Sequence, residues 1–243
     1  MPRPYRSALV GGFGYLGLFV LAIFANFVVI EGLVESDNGA ATVHNISESM
    51  GLFRLGLLAF LGIFLIDVAV AWALHIVFRG HDHDLSLLAA WSRLVYTVLL
   101  GAALVHLFEV LQLVGGEGHA SVLGREYVEA QVLTAFESFD SLWLIGLAVF
   151  GLHLVLLGVL VAGSDEAPDP MGWILVVAGI AYMADTVAHV ALTDYSSYEN
   201  LFLALVAIPA LIGEGWMGLW LIGRFRAWRS DVRGQGTSVP GHG

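Results

Sequence analysis

Apolar residues dominate six long stretches of the chain, and short polar segments separate them. The stretches cover about residues 7–34, 50–78, 85–114, 141–162, 171–192 and 200–223. Each meets or exceeds the roughly 20 residues that a helix needs to cross about 30 Å of hydrocarbon. No stretch alternates apolar and polar residues with a period of two, and lipid admits only helices or closed barrels. The pattern therefore predicts an all-α, polytopic membrane protein, a bundle of six transmembrane helices.

The polar segments refine this organisation. Asn38-Gly39 is a turn signal, and the residues after it predict a short interfacial helix that turns Val43 and Ile46 to the membrane. Residues 126–139 have the pattern of an amphipathic lead-in to the fourth span. We expect residues 1–228 to form a single six-helix transmembrane domain and residues 229–243 to form a disordered cytoplasmic tail.

Composition agrees with a membrane protein and adds one property. Of 243 residues, 58% are hydrophobic and 13% are charged, and the mean hydropathy is +0.82. The chain has no cysteine, which excludes disulfides and thiolate chemistry. All ten basic residues are arginine and the net charge is −11, as expected of a halophilic archaeon or another high-salt proteome, where salt screens an acidic surface. A GC-rich genome is the alternative explanation for arginine without lysine.

The arginines also predict the orientation, because cytoplasmic loops are enriched in them. Arg3 and Arg6 precede the first span, Arg79 lies between the second and third, and a group follows the sixth: Arg224, Arg226, Arg229 and Arg233. With six spans, all of these fall on one side, and Arg125 alone falls on the other. We therefore expect a multi-pass protein of the cell membrane with both termini in the cytoplasm.

Five ionisable residues lie near mid-membrane or slightly to the cytoplasmic side of it: Asp67, Arg93, His153, Asp185 and Glu214. An ionisable group at that depth is costly, so each should face protein or water. We expect these side chains to converge. As a structural set, they would fix the register of the helices through an Arg–carboxylate pair and a hydrogen bond from His153 to a carboxylate. As a functional set, they are candidates to bind a proton or a small ligand.

A second polar layer lies in the outer third of the helices. It contains Glu31, Arg54, Glu137 and Asp140, together with the possible metal ligands His106, Glu109 and His189. Imidazoles and carboxylates on neighbouring helices are typical ligands of a divalent metal ion. The alternative is that charges at this depth are simply solvated among the headgroups. No metal-binding or catalytic fingerprint is present, and catalytic residues are not identified.

Several short motifs together resemble one family. They are Phe53-Arg54-Leu55-Gly56, Ile66-Asp67-Val68-Ala69, Trp91-Ser92-Arg93-Leu94, Phe150-Gly151-Leu152-His153 with Leu156-Leu157-Gly158, Tyr182 with Asp185, and Pro209 with Gly213-Glu214. From about Ser7 to Arg224, the chain resembles the integral membrane family catalogued as domain of unknown function 4386. The resemblance implies a compact helical membrane domain without an established activity. Its family positions are Glu31, Arg54, Asp67, Arg93, His153, Asp185 and Glu214, whereas His106 and His189 do not match.

Three functions stay open. The first is a membrane protein that binds or transports a small ligand, proton or ion at a mid-membrane polar site. The second is an intramembrane enzyme acting on a lipid or isoprenoid, and the third is a structural or accessory subunit. The expected partners are the lipid bilayer and a small ligand or ion, and no cofactor is clearly indicated beyond a possible divalent metal. Nucleic-acid binding has no support, because no basic face exists outside the tail. The pattern leaves the oligomeric state undetermined.

Overall fold

The structure, a computed structural model, describes the backbone of residues 4–116 and 124–236 and the side chains of residues 6–116 and 124–225. The described residues form helices and no strands. The main helices are α1 (Pro4–Ile23), α2 (Gly39–Glu48), α3 (Met50–Phe78), α4 (His83–Gly115), α5 (Arg125–Ala162), α6 (Asp169–Ala191) and α7 (Glu199–Gly236). Within the described part, six helices are long and apolar enough to cross a membrane. The predictions of an all-α fold and of six helices suited to span a membrane are confirmed for the described residues.

The first span changes its helical register near its end. After α1, the chain continues through a π-helical segment, Phe24–Ile30, and one further turn, Glu31–Leu33. The side-chain amide of Asn26 donates a hydrogen bond to the carbonyl oxygen of Ala22 at 3.0 Å. That carbonyl normally accepts the backbone N–H four residues later, so the side chain competes with the α-helical pattern. The wider π turn is consistent with this competition.

Two helix boundaries differ from those that the sequence predicts. Helix α5 begins at Arg125, so the amphipathic lead-in over residues 126–139 is part of the helix itself. Gly124, with a φ of 87°, precedes it, and no glycine or proline interrupts residues 125–145. Helix α7 continues past the predicted end at Gly223 to Gly236, and so extends into the stretch predicted as a disordered tail. The rest of that stretch, residues 237–243, lies outside the described residues.

The short helix α2 forms where the turn signal predicts it. The side chain of Asn38 caps it by accepting a hydrogen bond from the backbone N–H of Ala41 at 3.0 Å. Ile46 and Thr42 on this helix are nevertheless fully buried in protein. Ile46 therefore packs within the protein, whereas the sequence predicts that it faces the membrane.

The chain divides into two compact units. The first contains residues 1–16, 68–93 and 150–243, and the second contains residues 17–67 and 94–149. In the second unit, aromatic rings join α3 to α5: Phe53 packs edge-on against Phe136, and Phe60 against Phe139 and Trp143. These contacts form the aromatic part of that unit's core.

In the first unit, glycines let helices approach closely. A Cβ atom on Gly151 of α5 would lie only 2.5 Å from the carbonyl oxygen of Gly179 on α6, and the same distance separates a Cβ on Gly158 from the carbonyl oxygen of Gly172. On α1, a Cβ on Gly12 would lie 2.9 Å from the carbonyl oxygen of Gly218 on α7. Small residues are the usual means by which membrane helices pack backbone to backbone.

Candidate functional site: a buried arginine–histidine pair

The centre of the site is a contact between Arg93 on α4 and His153 on α5, both in the first unit. The two side chains are almost completely buried, with 1% of Arg93 and none of His153 exposed. The NH1 nitrogen of Arg93 lies 3.2 Å from Nε2 of His153. The other ring nitrogen, Nδ1, lies 2.8 Å from the carbonyl oxygen of Ala89, one turn before Arg93 on α4. The imidazole thus makes two contacts with the same helix.

These two partners determine which ring nitrogen carries the proton. A carbonyl oxygen only accepts hydrogen bonds, so Nδ1 must be protonated and donate to Ala89. A guanidinium only donates, so Nε2 must be unprotonated and accept from Arg93. His153 is therefore a neutral imidazole that serves as a hydrogen-bond acceptor for a permanently charged arginine. The expected hydrogen bond from His153 to a carboxylate does not form, because its only N–H is already bonded to a backbone carbonyl.

Two aromatic rings flank the guanidinium. Its central carbon lies 5.2 Å from the centre of the Tyr15 ring on α1 and 5.2 Å from that of the Phe150 ring on α5. The NH1 group also lies 3.4 Å from the hydroxyl oxygen of Tyr15, a long contact for a hydrogen bond. Cation–π attraction grows stronger as water is excluded, so these rings stabilise the buried charge. Tyr182 of α6 supports Phe150 edge-on.

Asp67 of α3 belongs to the second unit and is also buried, with 1% exposed. The hydroxyl of Thr97 on α4 donates a hydrogen bond to its Oδ2 at 3.3 Å. Thr97 itself is fully buried. The buried carboxylate therefore accepts a hydrogen bond from a buried hydroxyl of its own unit.

Asp185 forms a separate cluster at the end of α6. Tyr195, in the connection between α6 and α7, donates a hydrogen bond from its hydroxyl to Oδ1 of Asp185 at 2.6 Å. The Tyr195 ring stacks on His189 with centroids 3.5 Å apart, and Nδ1 of His189 donates to the backbone oxygen of Asp185 at 3.1 Å. Removal from water, followed by the hydrogen bond to Asp185, raises the pKa of Tyr195 above its ordinary value.

The other predicted positions have different environments. Glu214 is half-buried on α7, while Glu31 and Arg54 are exposed. In the second unit, His106 donates from Nδ1 to Glu109 at 2.9 Å. Close by, His106 and Glu137 help to line an open depression together with Ser138, Ser141 and Leu142. Asp140 lies close enough to Glu137 for their charges to interact.

The arrangement gives no support to the predicted divalent-metal site. Over residues 6–116 and 124–225, no three His, Asp or Glu side chains form a group that would hold a metal ion. His106 uses one ring nitrogen on Glu109, and His189 stacks on Tyr195 and bonds its own helix. The ligands needed for coordination are therefore not assembled around a common point.

Sequence reasoning missed several members of these clusters. Tyr15, Thr97 and Tyr195 are common residue types in unremarkable positions, and each acquires its role from a partner 10 to 78 residues away. Phe150 belongs to a motif that the sequence singled out, but nothing in the motif indicated a cation–π contact. The carbonyl of Ala89 carries no sequence signal at all.

Comparison with known proteins finds one family and one relative, and neither has an assigned activity. It is 29% identical over 164 residues to an uncharacterized protein of Archaeoglobus fulgidus. The aligned residues make up 66% of this chain and 80% of that protein. No solved structure matches the chain. A family model described as domain of unknown function, DUF4386, matches residues 10–224. The motifs around Arg54, Asp67, Arg93, His153 and Glu214 all fall within this match, and the chain belongs to the DUF4386 family.

Proposed function

We propose that this protein binds or transports a small ligand or ion at its mid-membrane polar site. We further propose that this ion is a proton. The observation that carries the proposal is the geometry of His153, a neutral acceptor held against a permanent cation. Intramembrane ionisable groups of this kind mark ion and proton routes more often than they serve structure alone.

The contact with Arg93 couples proton binding to a movement. A proton added to Nε2 of His153 would point at the NH1 group of Arg93, donor to donor and charge to charge, over a distance that is now 3.2 Å. Neither group can accept that hydrogen bond. His153 is thus able to take up a proton only when Arg93 withdraws, which gives the site two discrete arrangements that a proton gradient would bias.

Proton flux in liposomes tests this proposal. The purified protein is reconstituted around an entrapped pH-sensitive dye, and a potassium gradient with valinomycin sets the membrane potential. We expect faster proton entry than in protein-free liposomes, and we expect His153→Gln to abolish the difference. Glutamine retains a donor for Ala89 and an acceptor for Arg93 but does not titrate. His44→Gln, on the exposed face of α2, is the matched control and should behave as wild type.

A structural role is the second candidate, because both ring nitrogens of His153 are already satisfied within the protein. On that view, the pair only holds helices together. Wild-type liposomes would then show no flux above background, and His153→Gln would be as stable as wild type while His153→Ala would not. The alanine variant loses a hydrogen bond to a charged group, which should cost about 1.5–3 kcal/mol.

We further propose that both termini face the cytoplasm, on the strength of the arginine distribution. Because the chain has no cysteine, single substitutions give clean labels. In intact cells, an impermeant maleimide should label Asp37→Cys, which follows the first span, and should miss Asp165→Cys, which follows the fourth. Both residues are exposed. The reverse pattern would establish the opposite orientation.

A further inference from the structure

The second unit contains an open depression, and none of its lining residues belongs to the site around Arg93 and His153. Its volume is about 390 Å³, and it is lined by His106 of α4 and by Glu137, Ser138, Ser141 and Leu142 of α5. Sites for small molecules are typically concavities of about 300–1,000 Å³ with a few placed polar groups. The depression therefore has room for a ligand of a few heavy atoms.

Hydrogen-bond acceptors dominate its polar lining. Glu137 offers two carboxylate oxygens, and Ser138 and Ser141 each offer a hydroxyl that is able to accept. His106 donates from Nδ1 to Glu109, and its Nε2 is able to accept a hydrogen bond when the ring is neutral. The charges nearby are negative, because Asp140 lies within electrostatic reach of Glu137. An anionic ligand would be repelled here, and a cation would be attracted.

The groups that line the depression favour one kind of cation. No group of three His, Asp or Glu ligands for a metal ion exists among the described residues. An organic ammonium with N–H groups fits better, since a primary ammonium donates three hydrogen bonds and the lining offers a carboxylate, two hydroxyls and an imidazole. Leu142 provides an apolar wall for a short carbon chain.

The depth of the depression also suits such a ligand. Helix α4 has 33 residues, about 50 Å at 1.5 Å per residue, and so exceeds the hydrocarbon thickness by about 10 Å at each end when centred. His106 lies nine residues before the last residue of α4, about 13 Å along the axis. With the helix centred in this way, His106 would lie within about one turn of the hydrocarbon boundary, near headgroups and water.

We propose that this depression is a binding site for a small primary amine of the aminoalcohol class. Glu137 pairs with the ammonium, and Ser138, Ser141 and His106 take its remaining hydrogen bonds. The same chemistry is available from a free amine or from the ethanolamine headgroup of a phospholipid.

Calorimetric titration of the full-length protein in detergent tests the proposal with a graded probe series. Ethanolamine should bind, and the affinity should fall with each added methyl group through N-methyl- and N,N-dimethylethanolamine to choline, which has no N–H donor. Because Glu137 is exposed and solvent weakens an exposed ion pair, Glu137→Gln should weaken ethanolamine binding several-fold. Glu126→Gln removes the same charge from an exposed position of the same helix outside the depression and should bind as wild type.

A second arm identifies the source of the amine. Protein in nanodiscs of ethanolamine or choline phospholipid is analysed by native mass spectrometry for retained lipid. Retention of ethanolamine lipid that depends on Glu137 and Ser141, tested with Ser141→Ala, assigns the site to a lipid headgroup, and binding of the free amine alone assigns it to a soluble ligand. The proposal is wrong if choline binds as tightly as ethanolamine, if Glu137→Gln has no effect in either arm, or if neither form binds.

Discussion

At the scale of single residues, hydrogen-bond roles carry more information than residue types. His153 is buried between a carbonyl and a guanidinium, and these partners allow one protonation state of the ring. The guanidinium of Arg93 is buried, and the rings of Tyr15 and Phe150 both lie 5.2 Å from its central carbon. The sequence predicted a carboxylate as the hydrogen-bond partner of His153, and the structure gives the backbone carbonyl of Ala89 instead.

Tyr195 supports a prediction about pH. Its pKa is raised by removal from water and by the bond to Asp185, so the neutral phenol is favoured in the folded state. The stabilisation is fully present below the ordinary pKa of 10.0 and is lost as the pH rises through the raised value. We expect Tyr195→Phe to be less stable than wild type at neutral pH by about 1 kcal/mol, the usual net contribution of a hydrogen bond.

That deficit should shrink above pH 10, because the unfolded wild-type chain then gains by ionising Tyr195 and the phenylalanine variant does not. Unfolding in mixed micelles at neutral pH and above pH 10 measures both effects. Tyr198→Phe, at a side chain that is 51% exposed, is the control and should match wild type at both pH values. A deficit for Tyr195→Phe that is constant with pH would show that ionisation of this phenol is not linked to stability.

At the scale of helices, close backbone packing in the first unit depends on glycine. The contacts between α5 and α6 place Gly151 against Gly179 and Gly158 against Gly172, with no space for a Cβ atom. Since apolar burial adds little between helices in lipid, packing of this kind supplies much of the association energy. The pair α5 and α6 also carries His153, Phe150 and Tyr182, so its spacing positions the rings beside Arg93.

We predict that Gly179→Ala lowers the free energy of unfolding by about 1–3 kcal/mol, the range for overpacking a dense contact. The new methyl group would meet Val155 at 2.8 Å as well as the backbone of Gly151. Titration with denaturing detergent, followed by circular dichroism, measures the change. Gly223→Ala on α7 has no neighbour within 4 Å and should be neutral or slightly stabilising. Equal stability of the two variants would mean that the contact between α5 and α6 accommodates the added methyl group without loss of stability.

At the scale of the whole molecule, the net charge leads to a prediction about how stability depends on salt. The net charge of −11 is repulsive unless salt screens it. If the composition reflects a high-salt environment, the melting temperature should rise as potassium chloride increases from about 0.1 M to about 2 M, with most of the gain below 1 M, where the screening length falls to about 3 Å. Sodium sulfate at equal ionic strength is a useful comparison, since it also strengthens apolar burial. A melting temperature that is independent of salt would favour genomic base composition as the reason for arginine without lysine.

The sequence alone determined the class of the molecule and the approximate position of its spans. Lipid imposes length and apolarity on any crossing helix, and both properties are local and readable. The sequence-based prediction of helix ends was less accurate. Helices α5 and α7 extend through polar residues, which a search for long apolar stretches does not include. The depth of the ionisable residues stays a prediction, made from their positions along the helices.

Only the tertiary structure decided which groups meet. The contacts of Arg93 with Tyr15 and His153 join residues 78 and 60 positions apart, and the carbonyl of Ala89 lies 64 positions from His153. Such contacts depend on how helices rotate and pack, which a weakly amphipathic apolar helix does not encode in its pattern. The tautomer of His153, the rings around Arg93 and the depression beside Glu137 therefore became visible only when the helices were placed together.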